Sequence, residues 1–479
     1  MNKANTLSNF IWKFLERCGA QGVSLIVTII LARLLDPAVY GIVSLITIFT
    51  SILEVFVEGG FGAALVQKKN ADNLDFSSVF FFNIVLCCFL YLIMFILAPL
   101  IARFYNNTSL VPLIRVLSLI LIISGVKNIQ QAYVSKHMMF KKFFFATLGG
   151  TILAAIIGIT LAYKGYGAWA LVIQSLVNQF VDTLILWVSV KWRPEFKFSW
   201  SRFKKLYSFS WKILLTNLIT NIYEKLRQLS IGKLYSISDL AYYNQGQQLP
   251  YAIVNNINTS IDSVLFPSIS NVQENANSVK SMMRRAIKTS TYIMAPMMIG
   301  MAFIAEPLVK LLLSEKWLPC VFYIRVACLI QLFAPINTSN LSAIKAMGHS
   351  SIILKLEVIK RVFGIFVLLC TIWFGPKVIM LGLLGCSFFD QLCNSWPNMK
   401  LLSYSYIDQI KDIFPSIALS LAMGIIVYPV SLISLPTIWI VVLQVLLGCI
   451  IYLLGSLIFK VDSFSYVLDL IRTYFRRHT

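Results

Sequence analysis

KWRPEFKFSWSRFKKLYSFSWK, residues 191–212, is the longest polar break in an otherwise apolar chain and lies near its middle. It carries seven Lys or Arg (191, 193, 197, 202, 204, 205 and 212) against one acid, Glu195. The same hydrophobic pattern runs once before it and once after it. The stretch therefore reads as a basic cytoplasmic link between two halves of an integral membrane protein.

Composition supports that reading. Hydrophobic residues fill 58% of the 479 positions and charged residues only 13%, about half the charged share of a soluble domain. A bilayer core needs about 20 apolar residues per spanning helix, and such segments follow one another almost end to end. A formal charge of +21 in a soluble protein would point to nucleic acid. Here the basic residues sit in short links between apolar runs, the positive-inside pattern, so no nucleic-acid partner is expected.

Chemistry-bearing motifs are scarce. The nine Cys are an odd number without metal-type spacing and read as small apolar packers. His137, His349 and His478 fall in loops or the tail, which speaks against a His-based metal or catalytic site. The opening MNKANTLSNFIWKFLERCGAQ has no small-residue cleavage site and leads into a spanning segment. There is no GxxxxGK[ST], and no Ser/His/Asp constellation stands at catalytic spacing. An enzyme is not expected.

An all-α fold of about 14 transmembrane helices is predicted. In the first half they cover 12–35, 39–66, 76–103, 110–132, 143–163 and 167–190. After the link come 208–235, 240–270, 284–313, 321–347, 350–374 and 377–403, then a last pair at 412–433 and 436–459. The domains follow: a six-helix lobe 1–190, the basic link 191–207, a second six-helix lobe 208–405, a helix pair 406–460 and an amphipathic cytoplasmic tail 461–479. With the N-terminus inside, 30 Lys or Arg fall on the cytoplasmic side, nine on the other, and two (225 and 227) within a helix. That asymmetry places both termini in the cytoplasm.

The halves repeat. Ile114-Arg115-Val116 recurs as Ile324-Arg325-Val326, and the same offset carries Gly165 onto Gly375. LARLLDPAVYG (31–41) resembles IGKLYSISDLAYYNQ (231–245). Six helices per unit is an even number, so the units share one orientation, as in parallel-repeat carriers working by alternating access.

Polar residues inside the helices are ordered. Arg17, Gln21, Ser24 and Thr28 share one face of the first predicted helix; Ser44, Thr47, Ser51, Glu54 and Glu58 share one face of the second. The seventh carries Asn217, Asn221, Glu224, Arg227 and Gln228, with Lys225 beside them. The eighth carries Asn244, Gln248, Tyr251, Asn255, Asn258 and Asp262. An ionised group at mid-bilayer costs about 2.5–3.5 kcal/mol, so these four helices are expected to face a common water-filled cavity between two lobes. Blander readings exist. Arg17 suits a snorkelling anchor, the amides suit interhelical glue, and Arg115, Arg325, Lys360 and Arg361 suit interfacial anchoring.

Several stretches, taken in order, resemble one family: ARLLDPAVYG (32–41), EGGFGAALVQKK (58–69), APLIARFY (98–105), LIRVLSLI (113–120), VSKHMMFKKF (134–143) and YGAWALVIQ (166–174). Together they are similar to the bacterial polysaccharide flippases of the O-antigen, colanic acid and teichuronic acid type. That family belongs to the multidrug/oligosaccharidyl-lipid/polysaccharide superfamily. The resemblance implies two six-helix bundles around a cavity lined by helices 1, 2, 7 and 8, plus a C-terminal pair. It implies a plasma-membrane protein moving an undecaprenyl-pyrophosphate-linked oligosaccharide outward. A polysaccharide polymerase and a chain-length regulator are the candidate protein partners such a role brings, besides membrane lipids.

For that cargo, Arg17, Lys225 and Arg227 are candidate pyrophosphate cations. Gln21, Asn217, Asn221, Asn244, Gln248 and Asn255, with the rings of Tyr223, Tyr243 and Tyr251, are candidate sugar contacts. Glu54, Glu58, Glu224 and Asp262 would pair with the cations or bind a coupling H⁺ or Na⁺; no other cofactor is expected. Three cations against four acids leave two alternatives open: a cation-coupled multidrug antiporter, and a non-transporting scaffold of a polysaccharide assembly complex.

Overall fold

The computed structural model describes residues 3–68 and 70–466, with the side chains of 3–18, 63, 209, 212, 213, 260, 263 and 350 outside the described set. Among the described residues there is no strand. The first helices are α1 (Lys3–Leu34), α2 (Pro37–Glu58), α3 (Phe61–Gln67), α4 (Asn73–Phe104), α5 (Leu110–Leu117), α6 (Leu119–Lys136), α7 (Phe140–Tyr163) and α8 (Ala168–Ser189). Then come α9 (Trp200–Leu234), α10 (Ile237–Ser270), α11 (Ala276–Leu312), α12 (Cys320–Leu332), α13 (Ala334–Ala346), α14 (Ser350–Thr371), α15 (Pro376–Leu402), α16 (Tyr406–Val427) and α17 (Thr437–Ile458).

Among the described residues, ten helical stretches are long and apolar enough to cross a membrane. The chain is an all-α, multi-pass membrane protein. Four more helices, α1, α9, α10 and α14, are 32, 35, 34 and 22 residues long. They owe their lower hydropathy to the polar and charged residues they carry.

Three predicted spans are broken. The segment expected over 39–66 ends at Glu58, because Gly59 and Gly60 both take left-handed backbone, and a short α3 follows. The segment 110–132 divides at Ser118 into α5 and α6. The segment 321–347 divides at Phe333, where Pro335 opens α13. The fourth long segment of each half is thus interrupted.

The repeat extends to side-chain geometry. Arg115 Nε donates to the Phe95 carbonyl on α4 at 3.4 Å, and Arg325 Nε to the Ala302 carbonyl on α11 at 3.2 Å. Met138 and Gly348 both have positive φ, as do Gly165 and Gly375. Each pair lies 210 residues apart, so the turns before and after the fifth long helix of each half share one design.

Contacts divide the chain into two units, Met1–Ala241 and Tyr242–Thr479. In the first, α7 packs on α8 and α1, α6 on α4 and α8, and α9 on α2, α3 and α4. The basic stretch is part of this packing. Trp192, Phe203 and Leu206 are buried in a cluster with Phe61, Phe76, Phe80 and Ile129. Trp192 Nε1 donates to Asn73 Oδ1 at 2.5 Å, and Gln130 Nε2 to the Trp192 carbonyl at 3.2 Å. The Glu195 and Ser199 amides donate to Ser77 and Ser78 at 2.9 and 3.0 Å.

That stitching meets the start of α4, where Asp72 and Asp75 form a reciprocal capping box. Arg202 at the start of α9 pairs with Asp72. Its guanidinium holds the Asp72 carboxyl below the usual carboxylate range. The division between units therefore falls after α9, at residues 241 and 242.

In the second unit α11 packs on α12, α13, α16 and α17. A buried polar seam joins α13, α15 and α16: Asn340 Nδ2 donates to Gln409 Oε1 at 2.8 Å and Asn398 Nδ2 to Asn340 Oδ1 at 2.7 Å. Toward the start of α16, Arg284 grips Asp412 with two bonds of 2.6 and 2.7 Å, and Tyr404 donates to the same carboxylate at 2.7 Å.

Candidate functional site

The first unit concentrates ionisable groups within its membrane helices. α2 packs closely on α9, and on the first residue of α10, because two glycines leave room. A Cβ on Gly41 would lie 2.0 Å from the Ile237 carbonyl oxygen, and one on Gly232 would lie 2.4 Å from Leu45 Cδ2. With Gly232 opposite Leu45, an antiparallel register at 1.5 Å per residue carries Glu54 about 13 Å along α2 and Lys225 about 10 Å back along α9. The two side chains come abreast. Glu54 lies in the electrostatic field of Lys225, Lys127 and Glu58, and Lys225 in that of Glu224 and Glu54.

Lys127, on α6, extends the series. Its Nζ meets Asp182 Oδ2 on α8 at 2.5 Å and Gln179 Oε1 at 3.1 Å. Gln179 Nε2 in turn donates to Ser124 at 2.8 Å. Asn128, the next residue, donates to the Val57 carbonyl at 2.9 Å and pins α6 to the end of α2. Lys127 and Asp182 side chains are only 12% and 8% exposed, and Asp182 Oδ1 is buried without a hydrogen-bond partner. Signs alternate along the series: Asp182, Lys127, Glu54, Lys225, Glu224. An intramembrane arrangement of this kind exists at a cost and marks function by default.

The sequence-derived residues divide as follows. On α9, Asn217 and Glu224 are exposed, Asn221, Tyr223 and Lys225 are half-buried and Arg227 is buried. Arg227 Nη2 donates to the Tyr223 hydroxyl at 3.0 Å, with its guanidinium 5.0 Å from that ring. Asn221 Oδ1 is buried without a partner. Glu58 and Gln21 are exposed, on α2 and α1. Arg17 lies outside the described side chains.

On α10, which is mostly in the second unit, Gln248, Tyr251 and Asn255 are exposed, and Asn244 and Asn258 each bury an unpartnered Oδ1. Asp262 accepts from Ser342 on α13. Tyr243 is buried edge-on against Tyr323, with ring centroids 5.9 Å apart, and serves the core.

Lys127 and Asp182 were absent from the expected site. Lys127 stands nine residues inside the end of α6. Asp182 is the lone acid of α8. The available signal was one charge inside each of two apolar helices, α6 carrying a second, Lys136, at its last residue; no stripe announced it.

The family profile described as "Polysaccharide biosynthesis protein" matches residues 30–322. The chain belongs to this family. It is 24% identical over 317 residues to the succinoglycan biosynthesis transport protein ExoT of Rhizobium meliloti (strain 1021), covering 66% of this chain and 64% of that protein, just short of two thirds of its length. It is 20% identical over 439 residues to the lipopolysaccharide biosynthesis protein WzxC of Escherichia coli (strain K12), covering 88% of each. Among solved structures it is similar to the lipid II flippase MurJ in its inward closed conformation, with a TM-score of 0.76, 18% identity and coverage of 95% of this chain and 99% of that one. The last likeness shows a shared fold.

Proposed function

We propose that this polysaccharide biosynthesis family member is a flippase for undecaprenyl-pyrophosphate-linked oligosaccharide repeat units in the bacterial plasma membrane. The observation that carries the reading is the content of the unit: membrane helices with alternating intramembrane charges on α2, α6, α8 and α9. A transporter for a doubly ionised, sugar-bearing lipid needs such groups, and one relative is a succinoglycan biosynthesis transport protein. Lys225 and Arg227 serve the pyrophosphate, Arg227 as a planar fork pre-oriented on Tyr223. In the first unit the amides of α9 serve the sugar, the unpartnered Asn221 oxygen being a ready acceptor for a hydroxyl; in the second unit α10 offers its own acceptors, the unpartnered Asn244 and Asn258 oxygens.

The sequence reading supplies the frame: two six-helix lobes, an added helix pair, both termini in the cytoplasm and alternating access driven by H⁺ or Na⁺. The same reading leaves catalysis to other proteins, with a polymerase and a chain-length regulator acting on the delivered unit. The test is complementation of a bacterium whose own repeat-unit flippase is deleted. Wild type restores surface polymer; Lys225→Ala and Arg227→Ala accumulate the lipid-linked unit and lose most of the polymer. Resistance to cationic dyes without polymer, for every repeat unit tried, would establish an antiporter instead.

A further inference from the structure

We infer that Lys127 is a tethered cation that switches between Asp182 and Glu54, and that a proton on Asp182 thereby opens Lys225 to an anionic phosphate. The inference rests on the reading that Lys225 serves the cargo pyrophosphate. Its observations are the 2.5 Å Lys127–Asp182 pair, the burial of both side chains, and the place of Lys127 in the field of Glu54. Asn128 adds a fixed point: its bond to the Val57 carbonyl holds this turn of α6 beside the last turn of α2.

With Asp182 ionised, Lys127 is held on α8 and Glu54 is left with Lys225 as its counter-charge. A carboxylate beside Lys225 competes with any phosphate for it. When an aqueous proton adds to the Asp182 carboxylate, the acid becomes neutral and the ionic N–H···O contact lapses. Lys127 keeps its three N–H bonds and its charge, and the group as a whole gains one positive charge. Lys127 then neutralises Glu54, and Lys225 is released toward an anion. Proton uptake and phosphate binding must favour each other by the same factor.

The charged groups around Asp182 are few. α6 presents Lys127; α2 carries Glu54, in the field of Lys127, with Glu58 beside it. α7 has no charged residue between Lys142 and Lys164, and Lys142 donates to the Ser189 carbonyl at 2.7 Å. α5 carries Arg115, which is turned to Phe95. α9 contributes Lys225 and Glu224 through Glu54. Asp182 is therefore the only carboxylate on its own helix, and Lys127 its partner in the structure.

The experiment measures inorganic pyrophosphate binding to the purified full chain in detergent, by calorimetry across a pH series in metal-free buffer. Pyrophosphate titrates identically in every sample, so variants are compared with wild type at each pH. Wild type gains affinity on acidification beyond that common background, approaching tenfold per pH unit for one linked proton. Asp182→Asn binds tightly at every pH and Lys127→Gln weakly at every pH; both lose the extra slope. Glu54→Gln, which leaves the pair intact, binds tightly with no extra slope and stands in should Asp182→Asn not fold.

A structural role predicts that Asp182→Asn and Lys127→Gln shift affinity in the same direction, and that result overturns the switch. So does a wild-type slope in Asp182→Asn or Glu54→Gln. Lys225→Ala separates the two readings. Undiminished binding in that variant overturns the cargo role of Lys225, whereas lost binding with an unaltered slope in Asp182→Asn overturns the switch alone.

Discussion

Lys127 faces two carboxylates, Asp182 in contact and Glu54 in its field, whereas Asp182 has one cation. The two are therefore unequal in what their loss leaves behind. Stranding a buried charge costs about 3–5 kcal/mol, and Lys127→Met strands Asp182. Asp182→Asn leaves Lys127 with Glu54 and costs less than half of that. Thermal unfolding in detergent ranks the two, and a larger loss in Asp182→Asn would contradict the assignment. Arg227 provides a second prediction. Its fork bonds and stacks on Tyr223, so Arg227→Lys keeps the charge and loses the orientation. Surface polymer in the complementation strain falls between wild type and Arg227→Ala, because an ammonium on a flexible stem does not reproduce a planar fork.

At the scale of elements, the site depends on how closely α2 runs against α9, at Gly232, and against the start of α10, at Gly41. Gly41 abuts a backbone oxygen, which cannot turn aside, and Gly232 abuts the end of a leucine, which can. Gly41→Ala is the more damaging substitution, at or above the usual overpacking cost of about 1–3 kcal/mol, with Gly232→Ala below it; equal melting temperatures would refute this. The Asp72–Arg202 pair fastens α9 to α4 and gives a pH signature. Asp72 titrates lower when folded than when unfolded. Its stabilisation is thus complete above the ordinary carboxyl value of about 4 and is lost as pH falls toward the depressed value. Arg202→Gln reduces that acid-side loss, the bonds to Asp75 keeping the remainder, and melting temperatures across a pH series measure it. Little of this was legible in the sequence. Hydrophobic period locates an apolar helix and is blind to a left-handed pair such as Gly59-Gly60 within it. Among the aromatic residues of 191–212, only packing distinguishes buried Trp192 and Phe203 from Phe196, which is 96% exposed.

At the scale of the molecule, the reading from residues reached far. The membrane class, the all-α fold and the family were legible because each is a statistical property of many residues: apolar length, Lys and Arg asymmetry, motif order. The internal repeat was visible in Ile-Arg-Val at 114–116 and 324–326, and it reappears as two arginines each holding a carbonyl of the preceding long helix. The stripes on α2 and α9 were visible as spacing. The Lys127–Asp182 pair was not, since a contact between single residues on two helices leaves no periodic trace. The central claim is that this chain carries lipid-linked oligosaccharide across the membrane. The most direct measurement is the sidedness of that lipid in cells lacking the native flippase and polymerase, labelled with a reagent that cannot cross the membrane. With wild type, the labelled fraction rises well above the vector control; with Lys225→Ala it stays near the control although total lipid-linked oligosaccharide is undiminished. A labelled fraction equal to the vector control in cells making wild-type protein and a matched repeat unit would contradict the account.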